Sequence, residues 1–289
     1  MTVFSTRISC FDASWNPTFG CDKVSPGCDH CYAEAIARRF HGGFALRLKP
    51  HRLRDATRFK PIAEPDGPRP PLVFVDSMSD IWHEGIPDAY LDQVFDGVEG
   101  NPRAIFVCLT KRAPRMLAYC RRRWAVSGLP SNLWLGVSVE SAAQSGRIKA
   151  LRRLRQDIGS FTSIICAEPL IGPPQGLSLE GIDWVICGGE SGSSARPINA
   201  DWVRWLRDAC AVGGVPLWFK AWGHWRHNPA WPLAQGRTQK DRKQDLLDRH
   251  LELCGTEQGG ATLDGQLHRY LPGAYLQSHA ALSAETTVS

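Results

Sequence analysis

The sequence predicts an α/β fold, either a (β/α) barrel or an open doubly wound sheet, and three observations support this. Short apolar runs rich in β-branched and aromatic residues recur from Leu72 onward. Segments of helical period separate most of them. The runs are apolar on both faces, as parallel strands covered by helices are. Alternating strands and helices imply parallel pairing through right-handed crossovers.

Ahead of this rhythm stands WNPTFGCDKVSPGCDHCYAE, in which Cys21, Cys28 and Cys31 are spaced Cys-x6-Cys-x2-Cys. Three thiolates without a fourth can hold a [4Fe–4S] cluster and leave one iron open to bind and reductively cleave S-adenosylmethionine (SAM). Cys28-x2-Cys31 is also a zinc half-site, which His30, Cys10 or a later His would complete. Spacing alone does not separate the two. A disulfide fits less well, because no signal-peptide pattern opens the chain, and a reducing cytoplasm is the expected compartment.

Tyr32 to Phe40 has helical composition, with Ala33, Ala35, Ile36 and Ala37 opposite Glu34, Arg38 and Arg39. The basic, Pro-rich connector His51 to Pro71 reads as a surface loop, with polyanion contact as the alternative. Strands are then expected at Leu72–Val75, Ala104–Leu109, Leu133–Val139, Ser163–Cys166, Trp184–Cys187 and Val215–Phe219, with helices around Pro87–Gly97, Ala113–Arg123, Ala142–Arg155 and Ala200–Ala211. Of the ten cysteines, Cys108, Cys166 and Cys187 sit inside apolar runs and read as small buried hydrophobes. Leu233 to Gly265 reads as a charged helical stretch plus turns that covers the barrel. Beyond Pro272 the chain is polar and aperiodic, a flexible tail. The expected units are 1–232, 233–272 and 273–289. No apolar stretch is long enough for a membrane span, and a net charge of +5 permits a polyanionic partner without requiring one.

Each run ends, on its C-terminal side, in groups that bind or react: Asp76, Ser77, Ser79 and Asp80; Thr110, Lys111 and Arg112; Ser138, Glu140 and Ser141; Glu168; Glu190 and Ser191; Lys220. In parallel α/β barrels these ends converge on one mouth, where active sites form.

The segment Trp15–Glu34, with DSMSDIWHE, LTKRAPRM, WLGVSVES, AEPLIGP, DWVICGGESG, WFKAWG and ATLDGQLHRYLP, resembles a phage-associated family of three-cysteine proteins over about residues 6 to 272. That family is in turn remotely similar to spore photoproduct lyase-type radical SAM enzymes. The remote likeness rests on the Cys-Tyr pair, the acidic cluster after the second strand and the Thr-Lys ending the third. The resemblance implies a partial (β/α)6 TIM-like barrel of the radical SAM type, with Cys21, Cys28 and Cys31 as iron ligands. It further implies Lys111 at the SAM carboxylate, Ser77, Ser79 or Asp80 at its amino group, and Ser138 and Glu140 at its ribose. Three departures stand out. Six residues separate the first two cysteines where photoproduct lyase has three, His30 replaces an aromatic residue before the last cysteine, and Ala221 stands where Lys-Gln-Trp-Gly is expected.

In this reading Glu168, Glu190 and Lys220 are catalytic candidates, and Arg196 and Trp222 are substrate contacts. The implied substrate is a nucleobase, nucleotide or DNA, undergoing modification, isomerisation or repair at a thymine derivative. Trp222 and Trp225 beside Lys220, His224 and Arg226 are placed to stack on a base and pair with its phosphate, or else to pack the barrel end. A flavodoxin- or ferredoxin-like donor is the implied electron source. The competing class is a zinc-stabilised nucleic-acid-binding protein without catalysis. A polar methyltransferase is disfavoured, since no Gly-x-Gly-x-x-Gly turn follows an early strand.

Overall fold

The computed structural model describes residue 6 and residues 8–231, 238–242 and 259–287. Seven parallel strands form one sheet: β1 (Ala13–Trp15), β4 (Leu72–Val75), β5 (Ile105–Thr110), β6 (Leu133–Ser138), β7 (Ser163–Ala167), β8 (Trp184–Gly188) and β9 (Leu217–Ala221), paired in that order. A two-stranded ribbon of β2 (Thr18–Phe19) and β3 (Arg47–Leu48) stands beside it. The strand order never reverses. That removes the doubly wound alternative, whose order must switch direction, and the sheet curls into a half-barrel.

All six expected strands are present. β1 is an additional one, three residues long and pairing with β4 in the register Ala13↔Val73 to Trp15↔Val75. Among the described residues the α-helices are α1 (Tyr32–Phe40), α2 (Asp88–Glu99), α3 (Ala113–Trp124), α4 (Gly146–Ile158), α5 (Ala200–Gly213) and α6 (Gly273–Thr287). The helix expected from Ala142 splits into a 3-10 turn, Ala142–Gln144, and α4. No helix joins β7 to β8; a loop there buries Leu170, Leu177 and Ile182 instead.

Side-chain alternation sorts the core into two layers. Val73, Phe106, Leu135, Ile165, Val185 and Phe219 face the helices, while Phe74, Val107, Trp134, Ile164, Trp184 and Trp218 face the barrel interior. Trp134 and Trp184 meet edge to face at 6.3 Å, as do Trp184 and Trp218. Phe11 stacks on Phe74 at 4.8 Å. Large rings thus fill the N-terminal end of the half-barrel, and the open space lies at the C-terminal mouth.

Residues 273–289, expected to be a flexible tail, instead form α6 through Thr287. Buried Tyr275 anchors its first turn by packing on Trp134, accepting from Arg69 at 3.0 Å and donating to the Pro70 carbonyl at 3.1 Å. One anchored turn leaves no periodic signature in the sequence.

The basic connector is ordered as well. Its 3-10 turns, Pro50–Arg58, pack on α2, buried Asp55 pairs with Arg52 and Arg58, and Arg69 grips Asp12 and Glu64. Most of the expected covering stretch Leu233–Gly265 lies outside the described residues. The segment after it runs along β9, where Phe219 donates to His268 O at 2.7 Å and Tyr270 to Leu217 O at 3.0 Å. The edge strand is thereby covered.

Candidate functional site

A cavity opens at the C-terminal mouth. Its walls include Cys21, Cys28, Cys31, Ser77, Ser79, Asp80, Lys111, Ser138, Glu168, Glu190 and Lys220, so the structure brings most of the expected site residues together. Each follows or ends a strand or lies in the cysteine loop, and a curled parallel sheet aims those positions at one space. The floor is apolar, with Phe74, Leu109, Cys166 and Ile186. Cys10 also lines the cavity; it and Cys166 are buried, and burial pushes the Cys166 thiol up to about 12.

Three sequence-derived candidates do not line it, and two of them have a different task. Glu140 is buried and accepts from Ser25 Oγ at 2.5 Å and from Arg147 at 2.7 Å. Arg196 reaches the Pro26 carbonyl at 2.8 Å while holding Glu190 at 2.6 and 3.0 Å. His30 Nδ1 lies 3.1 Å from Glu190 Oε2. Glu140, Glu190 and Arg196 therefore fasten the cysteine loop to the ends of β6 and β8. Burial by itself would raise the Glu190 pKa, but Arg196 outweighs it and holds the carboxyl below its usual range. Gly27 fits because a Cβ there would run into the Glu140 side chain.

On the other flank, Arg112 donates to the Asp22 carbonyl at 3.2 Å and lies 3.8 Å from Cys21 Sγ, and His83 Nε2 meets Asp22 at 3.1 Å. The loop is thus gripped from both sides.

Trp222 is a core residue. It is buried against Phe219, its indole N–H donates to Thr262 O at 2.9 Å, and it takes no part in the cavity wall. Trp225 is likewise buried. Gly189 allows β8 to approach β9, since a Cβ would meet the Trp222 carbonyl. Gly189 is therefore required by packing, while a Cβ at Gly188 would stand against the Glu168 carboxylate. Ala221 is buried and does not line the cavity.

Lys220 and Glu168 form an ion pair on the wall. Burial alone would lower the lysine pKa, but the Glu168 carboxylate beside it raises it and keeps the ammonium charged. Lys111 contrasts with it: among the described residues its ammonium forms no ion pair, while its backbone N–H donates to Asp80 at 3.2 Å. Asp80 also accepts from Thr110 Oγ1 at 2.8 Å and Trp82 N–H at 3.0 Å, and burial raises its pKa.

Asp76, one of the strand-end groups named from the sequence but given no specific task there, also lines the cavity. It adopts φ 59° and accepts from Thr18 N–H at 3.1 Å and Thr18 Oγ1 at 2.5 Å. Burial pushes its pKa up to about 7. The folded state then keeps a proton that the unfolded chain loses near pH 4, so stability falls as pH rises from about 4 to about 7. Asp76→Asn keeps the acceptor for the Thr18 N–H, lets its amide donate to a rotated Thr18 hydroxyl, and tolerates the left-handed backbone. We expect it to remove that loss and to be the more stable protein at pH 8, by at most about 4 kcal/mol. Urea titrations of both proteins at pH 5 and pH 8 check this.

Cys21, Cys28 and Cys31 are partly exposed free thiols around one cavity. Among the described residues no three His, Cys, Asp or Glu side chains converge closely enough to enclose a single metal ion. A polynuclear cluster asks for something different, since its thiolates bind separate iron atoms. Three partly exposed thiols of one loop, on a cavity whose other two cysteines, Cys10 and Cys166, are buried, fit that demand.

Comparison with known proteins gives three findings. The profile of a family described as "Protein of unknown function (DUF5131)" matches residues 5–272. No curated protein matches. Among solved structures, a cysteine-to-serine mutant of spore photoproduct lyase is similar at 14% identity and a TM-score of 0.43, over 72% of this chain. The match spans 64% of the length of that structure.

Proposed function

The chain belongs to the DUF5131 family, and from that premise and the make-up of its cavity we propose that it is a radical SAM enzyme whose [4Fe–4S] cluster is held by Cys21, Cys28 and Cys31. The observation that carries this reading is the meeting of the three free thiols of the cysteine loop with Lys111, whose ammonium forms no ion pair among the described residues, in one cavity at the C-terminal mouth of a parallel half-barrel. When bound, such a cluster supplies the one-electron reductive cleavage of SAM and hence a hydrogen-abstracting radical.

The chain's own residues do the rest. Lys111 offers its ammonium to the SAM carboxylate. Ser77, Ser79 and Asp80 supply acceptors for the amino group, and Ser138 faces the ribose. Glu140 and Glu190 act through the loop they fasten. The apolar floor keeps water from a reactive intermediate.

Glu168 and Lys220 present an acceptor and a donor side by side. A nucleobase imide edge, with one ring N–H and one carbonyl, is the complementary pattern, so the substrate class we favour is a nucleobase, nucleotide or DNA, with a thymine derivative as the first choice. In duplex DNA the base would have to leave the stack to reach this cavity. The chemistry would then be an isomerase, lyase or base-modifying reaction. A cytoplasmic site suits the nine free thiols among the described residues, and none of the described helices is long and apolar enough to cross a membrane.

The test is anaerobic purification followed by iron, sulfide and zinc analysis, visible absorption, and assay of 5′-deoxyadenosine formed from SAM and dithionite. We expect iron and sulfide in equal amounts and SAM cleavage. Zinc without iron, or a cluster that leaves SAM intact, overturns the reading.

A further inference from the structure

Helix α1 begins directly at Cys31, which is its N-cap residue. One face, Ala33 and Ala37, is buried. The neighbouring face carries Tyr32, Ile36 and Phe40 one turn apart, and they are 41%, 41% and 65% exposed. Large apolar side chains repeated along an exposed helical face mark an interaction surface.

The charge around this stripe is predominantly positive. Glu34 pairs with Arg38 at 2.6 Å and with Lys23 at 3.6 Å. Arg39 lies over the Phe40 ring at 5.0 Å, and Arg47 and Lys49 lie over Phe19 at 4.7 and 4.8 Å. Phe19 itself touches His41 at the end of α1. Among the described residues, Arg39, Arg47 and Lys49 form no ion pair. The arginines of α3 differ: Arg115, Arg122 and Arg123 are neutralised by Asp88, Asp92, Asp96 and Glu99. A groove lined by His30, Cys31, Ala35, Ile36 and Arg39 leads along α1 to the cavity.

We propose that this face docks a small acidic one-electron carrier protein of the flavodoxin class. The inference rests on the cluster reading above. Each SAM cleavage takes one electron from the reduced cluster as the carbon–sulfur bond breaks and methionine leaves. The carrier returns that electron and is itself oxidised by one. Electron transfer weakens steeply with distance, so a carrier has to dock where a cysteine ligand comes near the surface, and α1 extends from such a ligand. Uncompensated arginines match an acidic partner, and the bare Ile36–Phe40 stripe matches an apolar patch on a protein better than a phosphate track, which asks for charge along its length.

The test uses the full chain with its cluster and two sources of electrons, dithionite and flavodoxin reduced by NADPH and its reductase. Arg39→Glu combined with Arg47→Glu, and separately Ile36→Asp combined with Phe40→Ser, alter only exposed positions. We expect flavodoxin-driven 5′-deoxyadenosine formation to fall about tenfold or more in both variants, with dithionite-driven formation within about twofold of the original. In the unaltered protein the flavodoxin-driven rate falls as salt rises, and the dithionite-driven rate does not. Flavodoxin-driven rates that stay unchanged in the variants, or flavodoxin that fails to drive the unaltered protein, overturn the proposal. Equal losses with both electron sources also overturn it and assign the face to the substrate; loss of DNA binding alongside would identify a nucleic acid. Absence of dithionite-driven cleavage in the unaltered protein would instead remove the cluster reading itself.

Discussion

Cys28→Ala is expected to yield a colourless protein that holds no [4Fe–4S] cluster and produces no 5′-deoxyadenosine. Cys21, Cys28 and Cys31 are the thiols of the cysteine loop, and two ligands do not retain a cluster that needs three. Folding should survive the change. The segment is held by Ser25 on Glu140, His30 and Arg196 at Glu190, and Arg112 on Asp22, none of which uses a thiol as an essential partner. Cys166→Ala is the control: this thiol is a buried part of the apolar floor, and its loss should leave iron content unchanged. Iron and sulfide analysis with circular dichroism on both variants separates ligand loss from unfolding. A coloured, SAM-cleaving Cys28→Ala protein would remove Cys28 from the ligand set.

Lys111→Met is expected to raise the KM for SAM by about 10- to 100-fold with iron content intact, because a hydrogen bond to a charged group contributes about 1.5–3 kcal/mol. The side chain lines the cavity and forms no ion pair among the described residues, so its ammonium is available to an anionic ligand. Methionine keeps the volume and removes the charge. Lys111→Arg restores the charge with a different shape and should recover part of the affinity. Equilibrium binding of SAM to the cluster-loaded variants measures this directly. Unchanged affinity in Lys111→Met would take the carboxylate contact away from Lys111.

Much of this architecture was readable from the chain because parallel strands beneath helices must be apolar on both faces, and such runs stand out between polar clusters. The lining of the cavity was readable for the same reason: the first polar residues after each run are the ones a half-barrel gathers. β1 escaped notice because three residues cannot display a period. The fastening of the loop also escaped, since Ser25 meets Glu140 and His30 meets Glu190 across 115 and 160 residues of sequence. Nothing local in a glutamate tells whether it will face a ligand or brace a neighbouring loop. Trp222 misled for a related reason: an indole beside lysine and histidine suits either stacking or packing, and here it is β9 that turns it into the core.

The bracing of the cysteine loop by carboxylates, a histidine and arginines bears on how the protein ages. Oxygen destroys exposed iron–sulfur centres, and a segment that depended on iron for its shape would come loose each time. Under the proposed cluster assignment, the ties of the loop through Ser25, His30, Arg112 and Arg196 involve no iron, and we expect a damaged centre to be rebuilt in place from iron and sulfide without a cycle of unfolding.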